Sequence, residues 1–404
     1  MTKGAVHSRT WQLLDMLADG EFHSGEVLAG RLGVSRASVF NALAEVGKCD
    51  VDLHRVRGRG YRLARPWQRL ERDEIVRWLG KEAGTFDIEI MPQATSSNAL
   101  LLQRARLDGM TRYAQAPGAG MPSPRLTPAR GTPPDTHATR GLGAVPQSAG
   151  SAITSDLASV VGLPSRMASS SISNVSEADV ADGGAPSGSV LAVELQTAGR
   201  GRMGRNWHSG LGATLTFSLL WRFACGLNAL SGLSLAVGVA QVRALNKLGA
   251  QGVRLKWPND ILTEQGKLGG VLIEAQGDML GPSAVVIGIG LNCTLPAKLV
   301  KRIDQPASAL DEVCAVMPTR SQLLATLLLE LANVLRQFEQ GGFALLRAEW
   351  ESCHIHQNSQ VRVRMPDGGT VNGIARGVSD SGELRLETTH GIQHLNSGEV
   401  GGRP

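Results

Sequence analysis

The chain has 404 residues and a formal net charge of +5, long enough for about two or three domains but too weakly basic for a general nucleic-acid coat. Its five cysteines, Cys49, Cys225, Cys293, Cys314 and Cys353, show no Cys-x-x-Cys or paired-histidine spacing, so neither a zinc site nor a disulfide framework is indicated. The first residues lack the apolar core of a signal peptide, and Leu227 to Val242 is short and interrupted by Asn228, Ser231, Ser234 and Gln241, so a cytoplasmic protein without a membrane span is expected.

From Thr10 to Leu63 the pattern is helical, then helical with a tight break, then strand-like, which predicts a small winged helix. A helix from Gly25, a turn at Leu32-Gly33-Val34 and Ser35 as the cap of the next helix make a helix-turn-helix. Val27, Leu28, Leu32, Val34, Val39 and Leu43 are expected to pack its core. Ser35, Arg36, Ser38 and Asn41 are left on a face suited to a DNA major groove. The following Gly-rich tip carries Arg55, Arg57, Arg59 and Arg62, where a wing meets phosphate or a minor groove. The other reading of the module is packing or dimerisation alone.

After the Arg65-Pro66-Trp67 linker come a predicted helix over 70–79, a strand over 87–91 and a helix over about 97–107. Residues 109–188 are rich in Gly, Ala, Pro, Ser and Thr, with Tyr113 the lone aromatic, and are expected to be a disordered insertion. Residues 189–195 and 212–221 read as strands flanking the run Gly199-Arg200-Gly201-Arg202-Met203-Gly204-Arg205-Asn206-Trp207. Arginines alternating with glycines suit an anionic ligand, because guanidinium forks are permanently charged and glycine lets the backbone approach. Alone, such a run reads equally well as a disordered nucleic-acid-binding tract; its place between strands argues for a phosphate loop. Leu227 to Val242 predicts a helix buried against the sheet, and 321–338 an amphipathic helix. Residues 360–400 alternate around turns at Asp367-Gly368-Gly369 and Asp380-Ser381-Gly382, which predicts a small β-barrel.

The arginine loop is followed by Lys256-Trp257-Pro258-Asn259-Asp260, Lys267-Leu268-Gly269-Gly270 and Gly288-Ile289-Gly290-Leu291-Asn292. In this order the blocks resemble the biotin–protein ligases, whose signatures read G-R-G-R-x-G-R-x-W, K-W-P-N-D, K-x-x-G and G-x-G-x-N. The resemblance covers Gln68 to Leu107 and Ser189 to about Glu399, and the N-terminal region resembles the DNA-binding half of the bifunctional ligase–repressors. It implies an α+β protein: a winged helix-turn-helix (1–65), a class II synthetase-like α/β ligase domain on a mixed sheet (66–350, with the insertion 109–188) and a C-terminal SH3-like barrel (351–404).

The resemblance also implies the chemistry. Biotin's carboxylate attacks the α-phosphorus of ATP, and a lysine of a biotin carboxyl carrier protein then attacks the resulting mixed anhydride, so positioning and charge stabilisation suffice. Lys267, Arg200, Arg202 and Asp260 are the expected catalytic group, with Asp260 as a possible base for the acceptor amine. Ser96, Ser97, Asn98, Gln196 and Gly201, with Arg200, Arg202 and Lys267, are expected to hold biotin; Ser97 stands where relatives have threonine. Arg202, Arg205, Trp207, Lys256, Asn259 and Asn292 are expected at ATP, with Mg²⁺ near Asp260 and Asn292 and no side-chain cage for it. Arg36, Asn41, Arg57 and Arg59, with Ser35 and Ser38, would meet operator DNA. The adenylate would be corepressor as well as intermediate, stabilising a homodimer on a palindromic operator. The tail after Ser397-Gly398-Glu399 departs from the family, whose end of that domain contacts the nucleotide; the corresponding residue here is Arg403. Two alternatives remain open: a ligand-sensing repressor without ligase activity, and a ligase whose N-terminal module does not bind DNA.

Overall fold

The computed structural model describes residues 6–46, 51–114 and 185–401, with side chains of the helix that ends at Ala114 described as far as Ala105. The segment predicted to be disordered therefore lies largely outside the described residues, as does Arg403. At its edge, helix α5 (Ser97–Ala114) continues beyond the predicted Leu107. A started helix propagates cheaply, and Gly109 costs it only about 1 kcal/mol.

The N-terminal module comprises α1 (Ser8–Met16), α2 (Gly25–Leu32), α3 (Arg36–Val46) and the hairpin β1 (Leu53–Val56) with β2 (Gly60–Leu63). Ser24 caps α2 by accepting the Val27 N–H at 3.1 Å, and Ser35 accepts the Ser38 N–H at 3.1 Å at the start of α3. Gly33 between them takes φ +64°. Leu28, Val39 and Leu43 are buried as expected, but Val27 is 46% exposed. Leu28 and Ala29 form the inward face of α2, and residue 27 points a quarter-turn away from it.

The large sheet has seven strands in the order β3-β4-β7-β11-β10-β9-β8: β3 (Asp87–Ala94), β4 (Ser189–Gln196), β7 (Thr214–Phe223), β8 (Arg254–Lys256), β9 (Asp260–Leu262), β10 (Lys267–Gly277) and β11 (Ser283–Asn292). It is mixed, because β3 and β4 run parallel and the other pairs antiparallel. The arginine run forms its own hairpin, β5 (Gly199–Arg200) against β6 (Asn206–Trp207). Neighbouring residues of β7 serve opposite faces: Leu219 packs with the helix-covered core, and Leu220 with Leu101 and Ala105 of α5.

The other face is covered by α6 (Leu233–Lys247) and, beyond the short α7 (Ala297–Val300), by α8 (Arg320–Gly341). The apolar stretch predicted as one helix from Leu227 begins instead as a 3-10 turn, Leu227–Leu230, and the helix starts after Gly232 at φ +80°. On α8, Leu323, Leu327, Leu331, Val334 and Phe338 are all buried, each contributing about 1.5–3 kcal/mol of apolar transfer. No helix of the described residues is long and apolar enough to cross a membrane.

Helix α4 (Arg72–Leu79) packs on α8, and α9 (Arg347–Cys353) leads into the C-terminal sheet. That sheet is antiparallel, in the order β15-β14-β13-β12-β16: β12 (Gln360–Arg364), β13 (Thr370–Val378), β14 (Leu384–Thr388), β15 (Gly391–Leu395) and β16 (Glu399–Gly401). Its apolar residues Val361, Val363, Leu384 and Leu386 join the same core as α6 and α8.

The junction holds two histidines. His354 stacks on Trp350 at 4.5 Å and lies 5.9 Å from the His356 ring, and the Ile355 N–H bonds to Leu255 O at 2.9 Å. Burial pushes both imidazoles down from 6.5 to about 4, and Lys256 further opposes charge on His356. An unfolded chain takes up these protons near pH 6.5 while the folded one resists until about pH 4, so stability is expected to fall as pH drops through that window. His354→Phe should flatten the pH dependence of the urea midpoint there; an unchanged slope would remove this account.

Candidate active site

A cavity of about 620 Å³ opens where the carboxyl end of β4, the arginine hairpin, the 256–260 turn, the start of β10 and the edge of the C-terminal sheet converge. Its walls bring together Ser96, Ser97, Asn98, Gln196, Arg200, Gly201, Arg202, Arg205, Trp207, Lys256, Asn259, Asp260 and Lys267. Asn292 is not among them. Ser35, Arg36, Ser38, Asn41, Arg57 and Arg59 belong to the N-terminal module and are not part of the cavity.

One end of the cavity is polar and neutral. The Ser97 N–H donates to Gln196 Oε1 at 3.0 Å, and Ser96 Oγ accepts the Ala99 N–H at 3.4 Å, so Ser96 caps α5 while also lining the site. Ser218 Oγ lies 2.5 Å from Asn98 Oδ1 and 2.7 Å from Ser97 Oγ. A hydroxyl has one proton, so Ser218 donates it to the amide oxygen and accepts from Ser97.

Gly288 and Gly290 are there because nothing larger fits. A Cβ on Gly288 would stand 2.1 Å from Asn98 Oδ1, and one on Gly290 would stand 2.5 Å from the Trp207 indole. The G-x-G spacing thus seats two cavity-lining side chains against alternate residues of one strand. The third residue of the motif, Asn292, donates to Lys267 O at 3.2 Å and Ser308 O at 3.0 Å. Its amide holds the backbone beneath Lys267 and is buried away from the cavity.

The other end is cationic. Arg200, Arg202, Arg205, Lys256, Lys267, Arg362 and Arg364 outnumber Asp260, Asp304 and Glu399. Lys267 Nζ pairs with Asp260 Oδ1 at 2.6 Å, both side chains being mostly buried. Asn259 donates to Val271 O at 2.8 Å, and its Oδ1 is 3.5 Å from Arg202 Nη1. Burial lowers the affinity of Arg202 and of Lys256 for their protons, with Asp260 acting against it in both. Several cations crowded together, three of them half-buried, are unfavourable until an anion enters among them.

The arginine loop is paired with itself. Besides the β5–β6 ladder, the Gly201 N–H bonds to Arg205 O at 2.8 Å, and Met203 sits in the left-handed region at φ 54°. Arg205 pairs with Glu399, which also pairs with Arg364 at 2.8 Å and so ties the loop to the C-terminal sheet. Arg200 pairs with Glu274.

Glu274, Glu399, Arg362 and Arg364 escape a motif-based reading because they stand outside the blocks or at their margin. A visible trace does exist: Glu274 is a carboxylate inside the otherwise apolar run of residues 271–275, and the arginines alternate with Val361 and Val363.

Residues 168–292 match the Biotin/lipoate A/B protein ligase family, and residues 356–400 match the biotin protein ligase C-terminal domain. The chain is 30% identical over 388 residues to the bifunctional ligase/repressor BirA of Salmonella typhimurium, across 96% of this chain and 95% of that protein. This chain belongs to the biotin protein ligase family. The Escherichia coli bifunctional ligase/repressor BirA is likewise 30% identical over 389 residues, with 96% and 95% covered. A Mycobacterium tuberculosis biotin–[acetyl-CoA-carboxylase] ligase is 34% identical over 227 residues, covering 55% of this chain and 82% of that ligase. The match to the two ligase/repressors spans 96% of this chain and so includes the N-terminal module; the third covers little more than half of the chain.

Proposed function

We infer that this protein is an ATP-dependent biotin–protein ligase that also represses transcription, with biotinyl-5′-AMP as intermediate and corepressor. The observation that carries the reading is the convergence of Lys267 and the three loop arginines on a cavity whose opposite end is the neutral Ser97–Asn98–Gln196 network. A ureido ring wants neutral donors and acceptors, whereas a carboxylate meeting a triphosphate wants fixed cations.

In the first step a biotin carboxylate oxygen attacks the α-phosphorus and pyrophosphate leaves with the bridging oxygen. Arg200, Arg202 and Lys267 hold the two anions together and stabilise the charge that builds on the α-phosphoryl oxygens. Trp207 and Asn259 flank the nucleotide, and Lys256 and Arg205 face its phosphates. In the second step the acceptor lysine, as free amine, attacks the anhydride carbonyl and AMP leaves. The acceptor is a biotin carboxyl carrier domain. Asp260 is spent holding Lys267 at 2.6 Å, so we assign it to positioning that ammonium ahead of any role as base.

Among the described residues no group of three or more His, Cys, Asp or Glu side chains is placed to hold a metal, and Asn292, whose amide nitrogen donates to two carbonyls, does not line the cavity. We place magnesium on the ATP phosphates, because a hard cation prefers oxygen ligands, and assign no step to it.

The N-terminal module is read as a winged helix-turn-helix with α3 as recognition helix. Ser35, Arg36 and Asn41 are exposed, and Arg57 and Arg59 form the exposed turn between β1 and β2. Arg55 lies 4.6 Å over Phe40 of α3, which sets that wing guanidinium beside the recognition helix, and Arg59 and Arg62 lie 4.2 and 4.8 Å from the Phe22 ring.

Purified protein with ATP, Mg²⁺ and labelled biotin should label a carrier domain. With biotin and ATP present it should also retard DNA from upstream of its biotin-synthesis genes as a dimer, and Asn41→Ala should weaken that binding by about 10- to 100-fold. DNA binding without transfer would favour the ligand-sensing repressor; transfer without DNA binding would leave a ligase only.

A further inference from the structure

Glu274 lies in the middle of β10 and is 4% exposed, yet it carries a carboxylate among apolar neighbours. Both of its oxygens face Arg200 Nη2, at 2.8 and 2.6 Å. The oxygen nearer Arg200 also accepts from Asn98 Nδ2 at 3.1 Å, and the same amide nitrogen donates to Leu272 O at 3.1 Å. One buried carboxylate therefore grips the first arginine of the loop and the amide of the neutral subsite together.

The two partners come from distant parts of the chain and differ in mobility of attachment. Asn98 is buried and already fixed by Ser218 and by the close approach of Gly288, whereas the Arg200 side chain is 43% exposed and rises from a two-residue strand. An isolated buried carboxylate is costly, so Glu274 has a strong requirement for the guanidinium, and meeting it draws Arg200 inward over the cavity. The geometry points to Glu274 as a positioning residue for the adenylation step: it presets Arg200 at the seam between the neutral and cationic ends and aligns the Asn98 amide beside it. This rests on the ligase reading above. Glu274 itself is not among the residues that line the cavity, so it acts through Arg200 and Asn98.

The test is a double-mutant cycle on the full chain. Glu274→Gln keeps the side-chain shape but removes the charge, and is expected to raise the half-saturating biotin concentration by roughly 10- to 100-fold. In an Arg200→Gln background the same substitution should change it less than about twofold, because the partner through which it acts is gone. Thermal unfolding of each variant reports folding, and Glu274→Asp, which keeps the charge on a shorter arm, serves should the glutamine variant not fold; it is expected to show the same dependence on Arg200. Equal effects in both backgrounds, or none in the native one, would overturn the assignment. Trypsin cleavage after Arg200 and Arg202 needs no catalysis: faster cleavage of Glu274→Gln than of the native protein supports the clamp even if the native protein transfers no biotin, and equal cleavage in that case rejects it.

Discussion

Lys267→Ala is expected to slow formation of biotinyl-adenylate by about 10²–10³-fold while leaving the protein folded. The ammonium is largely enclosed and pairs with Asp260 at 2.6 Å, and its backbone is pinned on both sides: its N–H donates to Pro306 O at 2.9 Å and its carbonyl accepts from Ser308 and Asn292. It therefore enters the reaction with little orientational entropy left to lose. Removing it withdraws the cation and leaves Asp260 facing the incoming phosphates, two changes that both disfavour a build-up of negative charge. Pyrophosphate release, followed with biotin and ATP saturating, reads adenylation directly, and the carrier-domain assay reads the overall transfer. Loss of adenylation in the variant, with native melting behaviour, supports the assignment; retention within a few-fold would place the critical cation on the loop arginines instead.

The second large effect concerns stability. Arg320 and Glu194 form an ion pair at 2.6 Å with side chains 7% and 0% exposed, and both groups make further hydrogen bonds, although the buried Arg320 Nε has no hydrogen-bond partner among the described residues. Glu194 also accepts the Leu70 N–H at 2.7 Å, while Arg320 donates to Thr214 O at 3.1 Å and Gln68 O at 3.4 Å. The pair thus knots the linker segment, β4, the start of β7 and the N-terminus of α8. Arg320→Met leaves a buried carboxylate without its counter-charge and should destabilise the ligase domain by about 3–5 kcal/mol. The double variant Arg320→Met with Glu194→Leu removes the stranded charge and should recover part of this, but not all, because the Leu70 N–H and two carbonyls lose their partners at about 1–3 kcal/mol each when buried. Urea midpoints of the four proteins decide it: a double variant no better than Arg320→Met would show that the hydrogen bonds, not the charge, carry the stability.

Much of the site was legible from local sequence. The arginine loop, the 256–260 turn and Lys267 are contiguous runs whose residue types state their chemistry, and the structure gathers them into one cavity. From its motif Asn292 reads as a contact for ATP or Mg²⁺, since hard magnesium prefers oxygen ligands; its side chain lies off the cavity, with the amide nitrogen donating to carbonyls beneath Lys267. Helix limits failed where punctuation was weak, as at Gly232, which starts α6 later than its apolar run does.

Composition, periodicity and motif order by themselves determined the mixed α and β elements, the N-terminal run of helices and the identity of the cationic residues, because each depends on neighbours within a few positions. Only the tertiary structure decided which of those residues share a partner. Asn98, Arg200 and Glu274 meet because antiparallel register places Leu272 opposite Gly288, and Gly288 leaves room for the Asn98 side chain against the sheet. A period of two shows which face a strand residue occupies, but what stands across from it depends on the folding of segments far apart in the chain.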